Sequence, residues 1–216
     1  PPAKLNRGDP SLRIGAPVAF ARFMLGPRLA EFARRYPELR VQLQITAGES
    51  TPQQANLDVL IRPGPLEDSS LLARPLATIP LGLYASPSYL KHCKLPKTPA
   101  DLSRLDALIT ACGPLGQPAE HTVWRLQRGN DTQEVRVEAR LSVPDPTINH
   151  QLALDGAGVA ILARHGAEKE VAKKRLVRVL PAWEPEPVEL FALYPARLNS
   201  SPKVRALLEF LRDGDR

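Results

Sequence analysis

The chain has 216 residues, of which 43 % are hydrophobic and 24 % are charged, a balance typical of a globular protein that buries a core. Its 29 basic and 23 acidic residues give a net charge of +6, and their scattered positions argue against direct nucleic-acid binding by this chain. No window of about 18 residues is continuously apolar, so the sequence predicts no membrane span. Two cysteines, Cys93 and Cys112, are too few for a disulfide framework, and we expect reduced thiols in a cytoplasmic protein.

The first part of the chain predicts strands that alternate with helices. The long segment up to Pro37 carries apolar residues every three to four positions, which indicates an amphipathic helix. Gly26 and Pro27 interrupt this helix, and we expect a kink or a locally lost hydrogen bond there. The strands of this part are predicted at residues 12–18, 40–46, 57–62 and 71–85, the last of which lies on both sides of Pro80. The alternation of apolar and polar residues within 40–46 indicates a half-buried strand.

The second part predicts a mixture of hairpin, helices and buried strands. Ser86 and Ser201 are predicted to cap helices that begin with proline, and Asp145 is predicted to cap a helix with Ile148 and Leu152 on one face. Gly129 lies in the predicted turn of a hairpin. The remaining predicted elements are a capped helix and a strand within 98–110, the hairpin 124–143, a strand at 159–163, a surface helix after it, and strands at 176–180 and 188–195. The final helix is predicted to be amphipathic, with Val204, Leu207, Leu208 and Leu211 on its inward face.

The stretch DGAGVAILA, residues 155–163, has the G-x-G spacing of a phosphate-binding loop. Such a loop needs a strand before the glycines and a helix after them, because the phosphate docks on the helix N-terminus. Here the predicted order is helix, glycines, strand. Gly156 and Gly158 are therefore predicted to end a helix and turn the chain into a core strand, and we expect no nucleotide site.

Several phrases in this order resemble one family. LRIGAPVAFARFMLGPRLAEFARRYPELRVQLQI is followed by LDVLIRPGPLEDSSLLARPL, LGLYASPSYL, LPKTPADLSRLDALI, DGAGVAILA, RLVRVLPAWEP and FALYPARLNSSPKVRALLEFL. Together, from about Leu12 to Leu211, they resemble the effector-binding domain of a LysR-type transcriptional regulator. The winged helix-turn-helix of that family would precede residue 1, and we expect it to be absent from this chain.

The resemblance implies an α/β fold of the periplasmic-binding-protein type (type 2), in which two lobes are joined by two crossover strands. Lobe 1 is expected at residues 1–84 and 190–216, and lobe 2 at 85–189. A small effector would bind in the cleft between the lobes. The expected function is effector sensing, coupled to DNA binding by the missing domain, and the alternative is a transport solute-binding protein with the same fold.

The expected ligand contacts lie where strands end and helices begin, since ligands of open α/β sheets bind there. Val18 and Phe20 would stand at the start of the long helix, a place where related regulators often carry a hydroxyl that is missing here. The lack of a hydroxyl, together with Phe20, favours an apolar or aromatic effector, with a carboxylate as the other candidate. The full set of expected contacts is Val18, Phe20, Thr46, Gly48, Arg62, Pro63, Thr110, Asp145, Thr147 and Ile161.

Each of these residues has an alternative interpretation. Arg62 would face an anionic effector or pair with Glu67 or Asp68, Asp145 would serve as a helix cap, and Phe20 would belong to the core. No motif for catalysis or metal binding is present, because the four histidines fall in unrelated segments. We therefore expect no enzyme activity, no metal and no cofactor. The expected partners are the small-molecule effector and a second copy of the chain in a homodimer or homotetramer, with no membrane contact.

Overall fold

The computed structural model describes residues 9–46, 52, 56–66, 70–110 and 120–212. The strands are β1 (Ser11–Ala16), β2 (Arg40–Ile45), β3 (Val59–Pro63), β4 (Leu71–Ile79), β5 (Leu81–Ala85), β6 (Ala107–Thr110), β7 (His121–Arg128), β8 (Asp131–Val143), β9 (Val159–Ala163), β10 (Val177–Val179), β11 (Glu184–Pro185) and β12 (Val188–Pro195). The α-helices are α1 (Val18–Phe20), α2 (Gly26–Arg35), α3 (Pro87–Leu90), α4 (Pro146–Leu154), α5 (Arg164–Ala172) and α6 (Pro202–Arg212).

The chain divides into two compact units. Unit 1 comprises residues 1–78 and 189–216, and unit 2 comprises residues 79–188. The expected boundary at residues 84 and 85 differs from this division, because β5 hydrogen-bonds with β9 and β10 and so belongs to the second sheet. β4 ends at Ile79 and β5 begins at Leu81, so the chain leaves the first sheet at Pro80.

Unit 1 is built on a five-stranded sheet with the order β2-β1-β3-β12-β4. β1 runs parallel to β2 and to β3, whereas β12 runs antiparallel to β3. The apolar face of α6 is buried in this unit, as its 3.6-residue periodicity predicts: Val204, Leu207, Leu208 and Leu211 are all buried. Phe210 packs edge-on against Phe32 of α2, with ring centroids 5.0 Å apart.

The helix that follows β1 contains a π-helical segment, Ala21–Leu25, between α1 and α2. The predicted disturbance at Gly26 and Pro27 therefore takes the form of a wider turn, in which the Gly26 N–H donates to the carbonyl of Ala21. A proline ring clashes with the carbonyl four residues earlier in a regular α-helix, and widening the turn relieves that clash. A Cβ at residue 26 would lie only 2.9 Å from the Ala21 carbonyl oxygen, which favours glycine there.

Unit 2 is built on a seven-stranded sheet with the order β10-β5-β9-β6-β8-β7-β11. β6 runs parallel to β8 and β9, and β7 and β8 form the predicted hairpin. Gly156 and Gly158 lie between α4 and β9, and Gly156 has the left-handed φ of 84° that commonly ends a helix. The G-x-G stretch is thus a helix end followed by a strand, as predicted.

One predicted burial pattern is wrong. Strand β2 was expected to be half-buried, but Leu43 is 36 % exposed and Ile45 is 52 % exposed. β2 is one of the two edge strands of its sheet and pairs with β1 alone. Among the described residues, its alternating pattern does not lead to burial of either face. In α4 the buried side chains are those of Asn149 and Ala153, whereas Ile148 is exposed.

Candidate functional site

The parallel strands of unit 1 bring the ends of β1, β2 and β3 to one edge of the sheet. The Thr46 N–H donates to the Ala16 carbonyl at 3.0 Å, which places the end of β2 beside the end of β1. The register of β1 with β3 pairs Gly15 with Leu60, so Arg62 and Pro63 extend past the same edge. Val18, Thr46, Arg62 and Pro63, all expected contacts, therefore come from neighbouring strand ends.

The two expected contacts at the start of the helix differ in burial. Val18 is half-buried, and no side chain caps the turn that it begins. Phe20 is only 6 % exposed and is part of the core, which favours the core alternative for this residue. In the first turn of a helix the N–H groups have no intrahelical carbonyl to bond, so Val18, Ala19 and Phe20 supply backbone donors at this edge.

Arg62 lies in β3 opposite Phe191 of β12 and is half-buried. Among the described residues, Arg62 supplies a positive charge at these strand ends. Gly48 lies outside the described residues, as do Glu67 and Asp68, the two carboxylates proposed as alternative partners of Arg62.

In unit 2 the ends of β6, β8 and β9 share one edge in the same way, because these strands are parallel. Thr110 is the last residue of β6. The Asp145 side chain accepts the Thr147 N–H at 2.7 Å, which confirms Asp145 as the cap of α4. Ile161 is half-buried and packs against a cluster of buried residues, so it contributes to the core of this unit. The edge therefore presents Thr110, Asp145 and Thr147.

Asn149 is a polar residue at this edge that the sequence reasoning missed. Its side chain is 1 % exposed, and its Nδ2 donates to the Oγ1 of Thr110 at 2.9 Å. Its Oδ1 is buried and has no hydrogen-bond partner in the described part of the chain. The sequence could have indicated its burial through helical spacing, because Asn149 lies four residues before Ala153 and both belong to the buried stripe of α4. Asn149 ties Thr110 to α4 and so fixes the position of its side chain.

A concavity of about 630 Å³ lies elsewhere in unit 2, next to Asp106 and Gly156. These residues precede β6 and β9, so the concavity is at the other end of the strands from Thr110. The Tyr89 hydroxyl accepts the Asp106 N–H at 2.8 Å, and burial raises the pKa of Tyr89 to about 12. None of the expected contact residues that the structure describes lines this concavity.

No group of three or more His, Cys, Asp or Glu side chains that could hold a metal ion occurs among the described residues. Cys93 is a free thiol, and burial raises its pKa; Cys112 falls outside the described ranges. None of the helices in the described ranges has the length and apolar character needed to cross a bilayer.

Comparison with known proteins decides the family. The model of the LysR substrate binding domain matches residues 6–216. The chain belongs to this family. It is 31 % identical to the HTH-type transcriptional regulator PtxR of Pseudomonas aeruginosa over 211 residues, which cover 96 % of this chain. It is 32 % identical to the HTH-type transcriptional regulator DmlR of Escherichia coli K12 over 203 residues, which cover 93 % of this chain. The chain spans 65 % and 64 % of the length of these relatives, which is less than two thirds.

The solved structures agree with this assignment. The full-length virulence activator AphB of Vibrio cholerae, a member of the LTTR family, matches with a TM-score of 0.77 and 25 % identity, over 94 % of this chain and 67 % of AphB. The predicted two-lobed α/β fold of LysR-type regulatory domains is thus confirmed at the level of the fold. The chain is a LysR-type effector-binding domain, and the relatives are transcriptional regulators, which speaks against the transport alternative.

Proposed function

We propose that this LysR-type domain senses a small molecule through the strand ends of both units. The family match over residues 6–216 carries this proposal, because it assigns the whole described fold to an effector-binding domain. The contacts would come from Val18, Thr46, Gly48, Arg62 and Pro63 in unit 1. Those of unit 2 would be Thr110, Asp145, Thr147 and Ile161, and Phe20 would shape the site from the core.

The proposed effector is a small organic acid with an apolar or aromatic body. Arg62 and the backbone donors after Pro17 favour a carboxylate in unit 1, because N–H groups at a helix start and a guanidinium both attract anions. Asp145 already accepts the Thr147 N–H, and its negative charge disfavours an anion at α4. The carboxylate is therefore assigned to unit 1 and the uncharged part of the effector to unit 2.

In the complete regulator, effector binding would change the equilibrium between conformations of the domain. We propose that this change acts on operator binding by a separate helix-turn-helix domain, that the regulator works in the cytoplasm as a homodimer or homotetramer, and that the chain catalyses no reaction on its effector. The two units of the fold, linked twice by the chain, provide an element that can change its conformation.

A thermal-shift screen of organic acids, aromatic compounds and sugars tests the proposal. An effector present at 100 times its Kd should stabilise the domain by about 2.7 kcal/mol. The same compound should stabilise Arg62→Gln less, whereas Arg104→Gln, a change to an exposed arginine of unit 2, should respond like the unaltered chain. No response to any compound, or an equal response of Arg62→Gln, would contradict the proposed site.

A further inference from the structure

A second concave surface lies on unit 1, between the edge strand β4 and the outer side of α6. It encloses about 290 Å³ and is lined mainly by Arg74, Leu76, Arg205, Leu208, Glu209 and Arg212. None of the described residues assigned to the effector site lines this groove. We call it the arginine groove.

The periodicities of the two elements explain how these side chains meet. Arg74 and Leu76 are two residues apart on β4 and therefore lie on the same face of the strand. Arg205, Glu209 and Arg212 are spaced by four and three residues on α6 and form one stripe of the helix. Leu76 and Leu208 are buried and provide an apolar floor.

The positive charge of the groove is not neutralised by the contacts that the structure records. The Arg74 guanidinium donates to the Oδ1 of Asn199 at 3.1 Å and lies 5.9 Å from the centre of the Tyr194 ring, and both partners are neutral. The ion pairs recorded among the described residues do not include Arg205, Arg212 or the one carboxylate, Glu209. Among the described residues, three guanidinium groups and one carboxylate thus line the groove, an excess of two positive charges.

The C-terminal end of α6 does not cancel this charge. Helix C-termini carry partial negative charge on their free carbonyls and would weaken anion binding at Arg212. Here the Arg28 guanidinium donates to the carbonyls of Phe210 and Leu211 and lies 4.5 Å from the centre of the Phe210 ring. Arg28 therefore compensates the partial negative charge of the helix end.

We propose that the arginine groove binds a small phosphate-bearing molecule, independently of the effector. Guanidinium groups bind phosphate through paired N–H donors, and three of them can share the three terminal oxygens of a phosphomonoester. A single guanidinium already satisfies the two oxygens of a carboxylate. Pro75 lies in the edge strand and lacks an N–H, which disfavours the addition of a peptide strand at this position.

Isothermal titration of the whole chain with glycerol 3-phosphate and with inorganic phosphate tests this site, with glycerol, succinate and sodium chloride compared at matched ionic strength. Both phosphate compounds should bind, and Arg74→Gln and Arg205→Gln should each weaken the affinity about tenfold or more, because each removes charged hydrogen bonds. Arg104→Gln, in unit 2, is the matched control and should leave the affinity unchanged. Circular dichroism checks that each variant is folded.

The opposite results overturn the site. Equal binding by the folded triple variant Arg74→Gln, Arg205→Gln, Arg212→Gln would place the phosphate elsewhere. Succinate binding as tightly as glycerol 3-phosphate would show that the groove does not recognise phosphate. If short duplex DNA binds through these arginines while neither phosphate compound does, the surface contacts a phosphodiester backbone and not a small molecule.

Discussion

The Nζ of Lys203 lies 2.9 Å from the Oδ2 of Asp58, and these side chains are only 14 % and 12 % exposed. The same ammonium donates to the Ser11 carbonyl, and the same carboxylate accepts the Arg13 N–H at 2.8 Å. This pair therefore joins the first turn of α6 to β1 and to the residue just before β3. These are the elements that position the strand ends of unit 1.

Replacing Lys203 by methionine should destabilise the chain by about 3 kcal/mol, because it leaves the Asp58 carboxylate buried without its cation. The double variant Lys203→Met, Asp58→Asn removes the charge as well and should recover part of that loss. Urea unfolding midpoints measure both changes. If the single and the double variant unfold at the same urea concentration, the buried charge is not the cause.

Gly158 should tolerate no side chain. A Cβ at this residue would overlap the Asp106 carbonyl oxygen, whose partner is the N–H of Val159. Gly129 has a left-handed φ of 58° but no atom within 4 Å of its ideal Cβ, so it serves as the control. Gly129→Ala should cost about 1–2 kcal/mol, the strain of one left-handed residue. Gly158→Ala should cost more in urea unfolding, and an equal cost would show that β9 adjusts freely beside β6.

The hydrogen bond between Asn149 and Thr110 provides a test of the edge of unit 2. Thr110→Val keeps the shape of the side chain but leaves the Asn149 Nδ2 buried without an acceptor, which should cost about 1–3 kcal/mol. Thr110→Ser keeps the hydroxyl and should cost less. Urea unfolding midpoints compare the stabilities of the two variants. If Thr110→Ser is less stable than Thr110→Val, the methyl group contributes more than the hydrogen bond.

Alkaline pH should destabilise the chain through Tyr84. Burial and the hydrogen bond to Glu168 raise the pKa of Tyr84 to about 12, above its usual value of 10. The unfolded chain therefore loses this proton first, and the free energy of unfolding should fall as the pH rises from 10 towards 12. Tyr84→Phe cannot ionise, so its stability should fall less over that range. Urea midpoints at pH 8, 9.5 and 11 compare the two proteins, and parallel curves would assign the loss to other groups.

Periodic apolar patterns predicted burial correctly where another part of the same unit covers the apolar face. The inward face of α6 was predicted from Val204, Leu207, Leu208 and Leu211, and all four are buried. The same reasoning failed for β2, because alternation identifies a face of a strand but not whether anything covers it. Ile45 alternates correctly and is still half exposed.

Local chemistry was predictable, whereas contacts between distant segments were not. The cap at Asp145 depends on its own neighbour Thr147, two residues away, and the prediction is confirmed. The bond from Asn149 to Thr110 spans 39 residues and depends on how α4 lies beside β6. The disturbance at Pro27 was predicted, whereas its form, a π-helical segment, was not. The expected contacts came from the family resemblance and stay a prediction.

The most direct test of effector sensing is a two-dimensional NMR titration of the 23.7 kDa chain with the organic acid that stabilises it most in the thermal-shift screen. Our account predicts that the backbone amide shifts concentrate at the strand ends of both units, at Val18, Thr46, Thr110 and Thr147. Shifts confined to one unit, or centred on Tyr89 or on the arginine groove while these four amides stay unchanged, would contradict it.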